Sequence, residues 1–100
     1  MTIHVDDPMP VGGKFHNYCH MWADGTLETL NELYAFADRL GLQRSWRQYS
    51  KGLTGDFYHY DISPNMRAKA LRMGAEYISL AEWLKPRWEA YKAAQSKVSR

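Results

Sequence analysis

Residues 57–64 have the sequence FYHYDISP, in which the pattern of a strand runs directly into the start of a helix. Aromatic and polar residues alternate over residues 57–62, and aromatic residues pack well on the pleated surface of a sheet. Ser63 can cap the N-terminus of a helix, and Pro64 suits the first helical position because an N–H there has no partner within the helix. We therefore expect a strand at 57–62 and a helix that begins at Pro64 and ends at Gly74.

An earlier helix is predicted over residues 27–40. Apolar residues recur there at spacings of three and four, namely Leu27, Leu30, Leu33, Tyr34, Ala37 and Leu40. That spacing places them on one face of a helix, toward a core. Asp24 or Thr26 can cap the N-terminus, and Gly41 can adopt the left-handed conformation that ends many helices.

The remaining segments are assigned from alternation, glycine and proline. They are a strand at 2–6, a loop at 7–14, a short helical turn or an irregular lid at 15–25, a strand at 42–49, a turn at 51–56 and a short strand at 76–79. Ser79 and Glu82 match a capping box that starts a final helix. Pro86 should kink or split this helix because it lacks an amide donor, and we expect fraying from Ala94 onward.

This order of elements predicts an α/β fold. The expected architecture is a small, mostly parallel sheet of three to four strands flanked by helices, with a C-terminal helical extension. Residues 1–80 would form a single domain, and residues 81–100 would pack on it as a helix with a frayed end. At 100 residues the chain can bury one modest core.

The composition is that of a folded soluble domain, with 45% hydrophobic and 24% charged residues. A formal net charge of +2 is too small to indicate nucleic-acid binding, and no nucleic-acid-reading motif is present, so we expect no specific nucleic-acid partner. Cys19 is the only cysteine, which excludes a disulfide within the chain. With no signal-peptide pattern and no apolar run of membrane-spanning length, we expect a cytoplasmic protein without a membrane partner.

Histidine and aspartate are concentrated at the ends and edges of the predicted strands. Asp6 and Asp7 close the first strand, and Asp61 lies near the end of a later one. Ligands of α/β sheets gather where strands end and loops diverge. Burying such side chains without partners costs a few kcal/mol, so a fold that gathers them needs a reason. We therefore expect a polar pocket.

A divalent metal is one candidate for that pocket. Imidazole and carboxylate groups are its usual ligands, and the chain offers Asp6, His20, His59 and Asp61. A bound metal would lower the pKa of a water molecule and support hydrolysis of a phosphoester. Helix capping or ordinary hydrogen bonding explains Asp7 and Asp24 equally well, and no known metalloenzyme signature is present.

A nucleotide-like ligand is the second candidate. The predicted binding set is Asp6, Asp7, His20, Asp24, Trp46, Arg47, His59, Tyr60 and Asp61. Trp22, Trp46, Tyr58 and Tyr60 offer ring faces on which a base could stack. Arg44, Arg47 or Lys51 could pair with phosphates. Alternatively, these aromatic residues belong to the core and the cations are solvated. No glycine-rich phosphate loop is present.

Cys19 is a third candidate, as a nucleophile, because His16 and His20 are close to it in sequence. Neighbours in sequence seldom align as nucleophile and base, and a small buried cysteine is the commoner outcome.

Several short motifs resemble DUF4031, a family of small bacterial and phage proteins of unknown function. The matching residues are Val5-Asp6-Asp7, Cys19-His20-Met21, Ala23-Asp24, Glu32-Leu33, Phe36-Ala37, Leu40-Gly41-Leu42, His59-Tyr60-Asp61 and Gly74-Ala75. The resemblance spans about residues 2–80. It implies no established activity, but it directs attention to the same polar residues.

Three hypotheses about function follow. The preferred one is a protein that binds a small nucleotide-like or phosphorylated molecule, acting by sequestration in the host cytoplasm if a phage encodes it. The second is a metal-dependent phosphohydrolase or nuclease that uses the same histidines and aspartates. The third is a structural or interaction module, in which the C-terminal helix joins two copies into a homo-oligomer.

Overall fold

The computed structural model describes residues 3–10, 17–23, 27–52 and 55–98. In chain order the strands and helices are β1 (His4–Val5), β2 (Met9–Pro10), β3 (Asn17–Trp22), α1 (Leu27–Leu40), β4 (Gln48–Gly52), β5 (Gly55–Ile62), α2 (Pro64–Arg72), β6 (Glu76–Tyr77) and α3 (Leu80–Val98). A 3₁₀ turn, Arg44–Trp46, lies between α1 and β4. The predicted α/β class is confirmed.

The sheet is mixed and mostly antiparallel, so the prediction of a mostly parallel sheet is wrong. Its strand order is β4-β5-β3-β1-β6, and the short β2 also pairs with β3. Among the described strands only β1 and β6 run parallel, whereas β3 is antiparallel to the short β1 and to the long β5, and β4 is antiparallel to β5. The difference arises in the segment 15–25, which the sequence predicts as a helical turn or lid and which contains the central strand β3.

The sequence of β3 does not show the apolar–polar alternation of a half-exposed strand, because both faces of this strand are covered. Cys19 and Met21 are buried on one face of the sheet, and Trp22 is buried on the other. A strand buried on both faces loses the simple alternation of apolar and polar residues. Its sequence, NYCHMW, therefore did not predict a half-exposed strand.

The predicted strand at 42–49 and the predicted turn at 51–56 are also shifted. Residues 44–46 form the 3₁₀ turn, and the strand begins only at Gln48. It pairs with β5 as far as Gly52 opposite Gly55, so most of the predicted turn is strand. The connecting residues 53–54 lie outside the described part of the chain.

The main core lies between one face of the sheet and helices α1 and α2. It contains Ile3, Val5, Cys19, Met21, Ala23, Leu33, Phe36, Ala37, Leu40, Leu42, Tyr60, Ile62, Ala70 and Ala75. The predicted N-cap of α2 and the predicted glycines after both helices are confirmed, whereas the predicted caps of α1, Asp24 and Thr26, lie outside the described residues. The Ser63 hydroxyl accepts the N–H of Met66 at 3.2 Å, and Gly41 and Gly74 have φ angles of 87° and 109°.

Helix α3 lies against the opposite face through one indole. Trp83 is buried there, with ring centroids 5.5 Å from Trp22 and 6.0 Å from Phe57. Pro86 does not split the helix, which runs to Val98, past Ala94. The Arg87 guanidinium lies 3.6 Å above the Trp83 ring and donates to the Trp83 carbonyl at 3.1 Å, which ties together the turn around the proline. Within the described residues, no helix has the length and apolar character needed to cross a membrane.

Candidate metal centre and adjoining cleft

Strand pairing places three of the predicted site residues side by side on the face opposite the main core. His20 on β3 lies directly across from Asp61 on β5, and Trp22 lies across from His59. Residues two apart on a strand point to the same face, so His59 and Asp61 both lie beside His20. These three residues form the His20–His59–Asp61 cluster.

The cluster brings three metal-ligating atoms together. One nitrogen of each histidine and one carboxylate oxygen all lie within 4.8 Å of one another. The two imidazole ring centroids are 5.2 Å apart, and the His59 Nε2 atom is 3.5 Å from Asp61 Oδ1. Two imidazoles and one carboxylate are a common ligand set for zinc and for iron or other first-row transition metals.

Asp6 supports His20 from behind. Its buried carboxylate accepts the main-chain N–H of His20 at 2.6 Å and lies 2.7 Å from His20 Nδ1. Because a carboxylate accepts hydrogen bonds, Nδ1 carries the proton and Nε2 keeps its lone pair. The Arg67 Nε–H donates to the Asp6 carbonyl at 2.7 Å and fixes this residue to α2. A carboxylate behind a histidine is the usual outer support of a metal-binding imidazole.

Burial favours the neutral form of His59. It lowers the pKa of this imidazole, the Asp61 carboxylate partly counteracts that effect, and His20 lowers the pKa further. A neutral imidazole is the form that binds a metal. The cluster remains open to solvent, because the side chain of Asp61 is 42% exposed and that of His20 is 21% exposed. A metal held by three protein ligands would therefore have open positions for water or a ligand.

A cleft adjoins the cluster at the sheet edge where β5 ends and β4 begins. Its volume is about 530 Å³, and its lining consists of Tyr18, Leu42, Ser45, Trp46, Gln48, Asp61, Ile62, Ser63 and Met66. Two residues connect it to the cluster. Asp61 belongs to both, and Gln48 is the strand partner of His59. The cleft therefore borders the cluster through Asp61, and the two together are the candidate site.

The other predicted binding residues lie elsewhere. Tyr60 is buried in the main core, on the opposite face from His59, so the structure does not bring it to the site. The Arg47 guanidinium lies over the rings of Tyr34 and Tyr58, and it donates to the Tyr34 hydroxyl. Arg47, which was a predicted phosphate partner, is therefore already engaged by Tyr34 and Tyr58.

The side chains of Asp6 and Asp7, although adjacent in sequence, have different partners. Asp7 is exposed and accepts a hydrogen bond from the Tyr77 hydroxyl at 2.8 Å, away from Asp6. Asp24 lies outside the described residues. Cys19 is buried in the main core, on the face opposite His20, and burial raises the pKa of its thiol. This placement does not favour a nucleophilic cysteine paired with His20.

Sequence reasoning missed the residues that surround the cluster. The Phe57 ring stacks on His59 with centroids 4.6 Å apart, and Trp83 packs on Phe57. Phe57 could have been found, because it precedes His59 by two residues on a strand. Ser45 and Gln48 could not, because they lie within and just after a 3₁₀ turn whose sequence predicted a strand.

The fold and the site define a small α/β protein with a two-histidine, one-carboxylate cluster beside an open cleft. The chain belongs to the DUF4031 family, described as proteins of unknown function, whose family model matches residues 3–89. That range includes the whole candidate site and the first half of α3. No curated protein and no solved structure matches the chain.

Proposed function

We propose that this protein binds a divalent transition-metal ion and uses it to hold a small phosphorylated molecule in the adjoining cleft. One observation carries the proposal: ligand atoms of His20, His59 and Asp61 lie within 4.8 Å of one another, and a buried carboxylate orients His20 from behind. A structural histidine pair needs only hydrogen-bond partners, whereas three converging ligand atoms suit a metal.

The charge of the cleft supports a ligand bound through the metal. Its only charged lining residue among those described is Asp61, which by itself repels a phosphate. A divalent ion bound at Asp61 reverses the sign of the charge at this end of the cleft. Phosphate oxygens then take the coordination positions that the protein leaves open.

Hydrolysis of a phosphoester is the second candidate function, and the open coordination positions favour it. A metal with three protein ligands lowers the pKa of a bound water toward neutrality. A metal held by His20, His59 and Asp61 would supply Lewis-acid activation of a water molecule, whose oxygen would bond to phosphorus as the ester P–O bond breaks and whose released proton would pass to the leaving alkoxide. Binding without turnover would be enough for sequestration. The proposal also includes a bacterial or phage origin and a cytoplasmic location.

Metal titration of the metal-stripped protein tests the proposal. Isothermal titration calorimetry with Zn²⁺ and Mn²⁺ should give one site per chain in the wild type. His59→Gln and Asp61→Asn should each remove stoichiometric binding. Asp7→Asn is the matched control, because Asp7 is an exposed carboxylate outside the cluster. A wild type that binds neither metal, or an Asp61→Asn variant that binds as the wild type does, would refute the site.

Phosphate binding and turnover are then measured separately. Inorganic phosphate should bind to the metal-loaded protein and not to the stripped protein. Release of p-nitrophenol from p-nitrophenyl phosphate, or from the corresponding diester, should depend on metal and on Asp61 if the second candidate is correct. Phosphate binding without release supports the binding function alone.

A further inference from the structure

We infer that the cleft takes a nucleoside monophosphate, with the base against Trp46 and the phosphate at the metal end. The inference rests on the proposed function and specifies its ligand. It is carried by the arrangement of the cleft, which combines an exposed indole, an apolar floor and one charged end.

Trp46 offers the aromatic surface. It is 51% exposed although it is a large apolar side chain, and the 3₁₀ turn that carries it holds it in the lining of the cleft. Tryptophan is enriched at binding interfaces, and its ring pairs favourably with another flat ring by offset stacking or edge-to-face contact. Stacking of a base on an aromatic ring contributes about 1–3 kcal/mol.

The rest of the lining suits a base and a sugar. Leu42, Ile62 and Met66 provide an apolar floor. Ser45 and Ser63 provide hydroxyl groups that can donate to and accept from ribose or base edges. The volume, about 530 Å³, is within the range of sites for single small molecules, about 300–1,000 Å³. The cleft therefore fits one nucleotide unit.

The distribution of charge limits the number of phosphates. The metal at Asp61 would be the one positive centre along the described lining. The nearby guanidinium groups of Arg44 and Arg47 lie over the Tyr34 ring instead. A triphosphate carries more negative charge than one divalent ion beside Asp61 can neutralise, and the described lining offers it no further cation. A single phosphate joined to a neutral flat group matches both ends of the cleft.

Calorimetry of the metal-loaded protein tests the inference with three kinds of probe. These are the four common ribonucleoside 5′-monophosphates, ribose 5-phosphate and inorganic phosphate. At least one nucleoside monophosphate should bind roughly 5- to 150-fold more tightly than ribose 5-phosphate, which corresponds to about 1–3 kcal/mol of stacking. Trp46→Ala should remove this advantage, and Trp46→Phe should keep most of it.

The controls separate this inference from the function on which it rests. Inorganic phosphate should bind equally to wild type and to both Trp46 variants, and circular dichroism should show the same fold, because Trp46 lies outside the core. Equal affinity for every nucleotide and ribose 5-phosphate would overturn the inference, as would an unchanged nucleotide affinity in Trp46→Ala. If the wild type binds no metal, or if the metal-loaded wild type binds no phosphate, the proposed function itself is overturned.

Discussion

Asp6 supports the candidate metal centre from outside the His20–His59–Asp61 cluster. It satisfies two donors of His20 at once and thereby determines which ring nitrogen is free. This role could be predicted only in part. The sequence predicts that Asp6 and His20 share one polar pocket, with Asp6 as a direct metal ligand. The supporting role of Asp6 could not be predicted, because it depends on strand pairing between residues distant in the chain.

Asp6→Asn should weaken metal binding by about 10- to 100-fold, the usual effect of losing an outer carboxylate. The asparagine oxygen can still accept the His20 main-chain N–H, which leaves its NH₂ group facing Nδ1. That contact favours the tautomer with the proton on Nε2, and this nitrogen then cannot bind a metal. Titration calorimetry measures the change. An affinity equal to that of Asp7→Asn would contradict the assigned role.

His59 should make the metal-free protein less stable in mild acid. Its pKa in the folded state is lowered from 6.5 by burial, so the unfolded chain binds this proton first as the pH falls. The stabilising effect is complete above about pH 6.5 and is lost progressively below it. Urea unfolding between pH 7.5 and 5 should show a smaller pH dependence for His59→Gln. Parallel curves for the two proteins would show that His59 makes no such contribution.

At the level of elements, capping residues predicted structure better than strand patterns did. Ser63, Gly41 and Gly74 act within a few residues of sequence, so their effects could be predicted from sequence alone. Strands β3 and β4 depend on partners distant in the chain, and tertiary pairing overrode their local pattern. Without β3, the predicted sheet lacked the strand that runs antiparallel to both β1 and β5.

Helix α3 should depend on Trp83 and not on Trp88. Trp83→Ala removes a buried indole from between α3 and the sheet and should lower the free energy of unfolding by about 3–5 kcal/mol. Trp88 is exposed and stacks only on Tyr91 among the described aromatic rings, so Trp88→Ala should change stability by less than about 0.5 kcal/mol. Urea denaturation compares the two variants, and similar losses would mean that α3 docks differently.

At the level of the whole molecule, the two faces of the sheet have different roles. One face holds the main apolar core under α1 and α2, and the other holds imidazole and indole rings beside α3. The convergence of His20, His59 and Asp61 on one face follows from the pairing of β3 with β5 together with strand alternation. The cleft was not predicted, because it is formed by a 3₁₀ turn and strand ends.

Association of two copies through α3 stays a prediction, and sedimentation of Trp88→Ala against wild type would test it.

The parallel pairing of β1 with β6 has a consequence for how the molecule assembles. The Glu76 N–H bonds the Ile3 carbonyl at 2.8 Å, and the Ile78 N–H bonds the Val5 carbonyl at 3.0 Å. The strand that leads into Asp6 thus gains its outer neighbour from a segment more than seventy positions later. Contacts of such long sequence separation form slowly and late in folding. The Asp6 carboxylate therefore reaches His20 only when the entire sheet closes cooperatively, and a peptide containing only β3, β4 and β5 would lack this support.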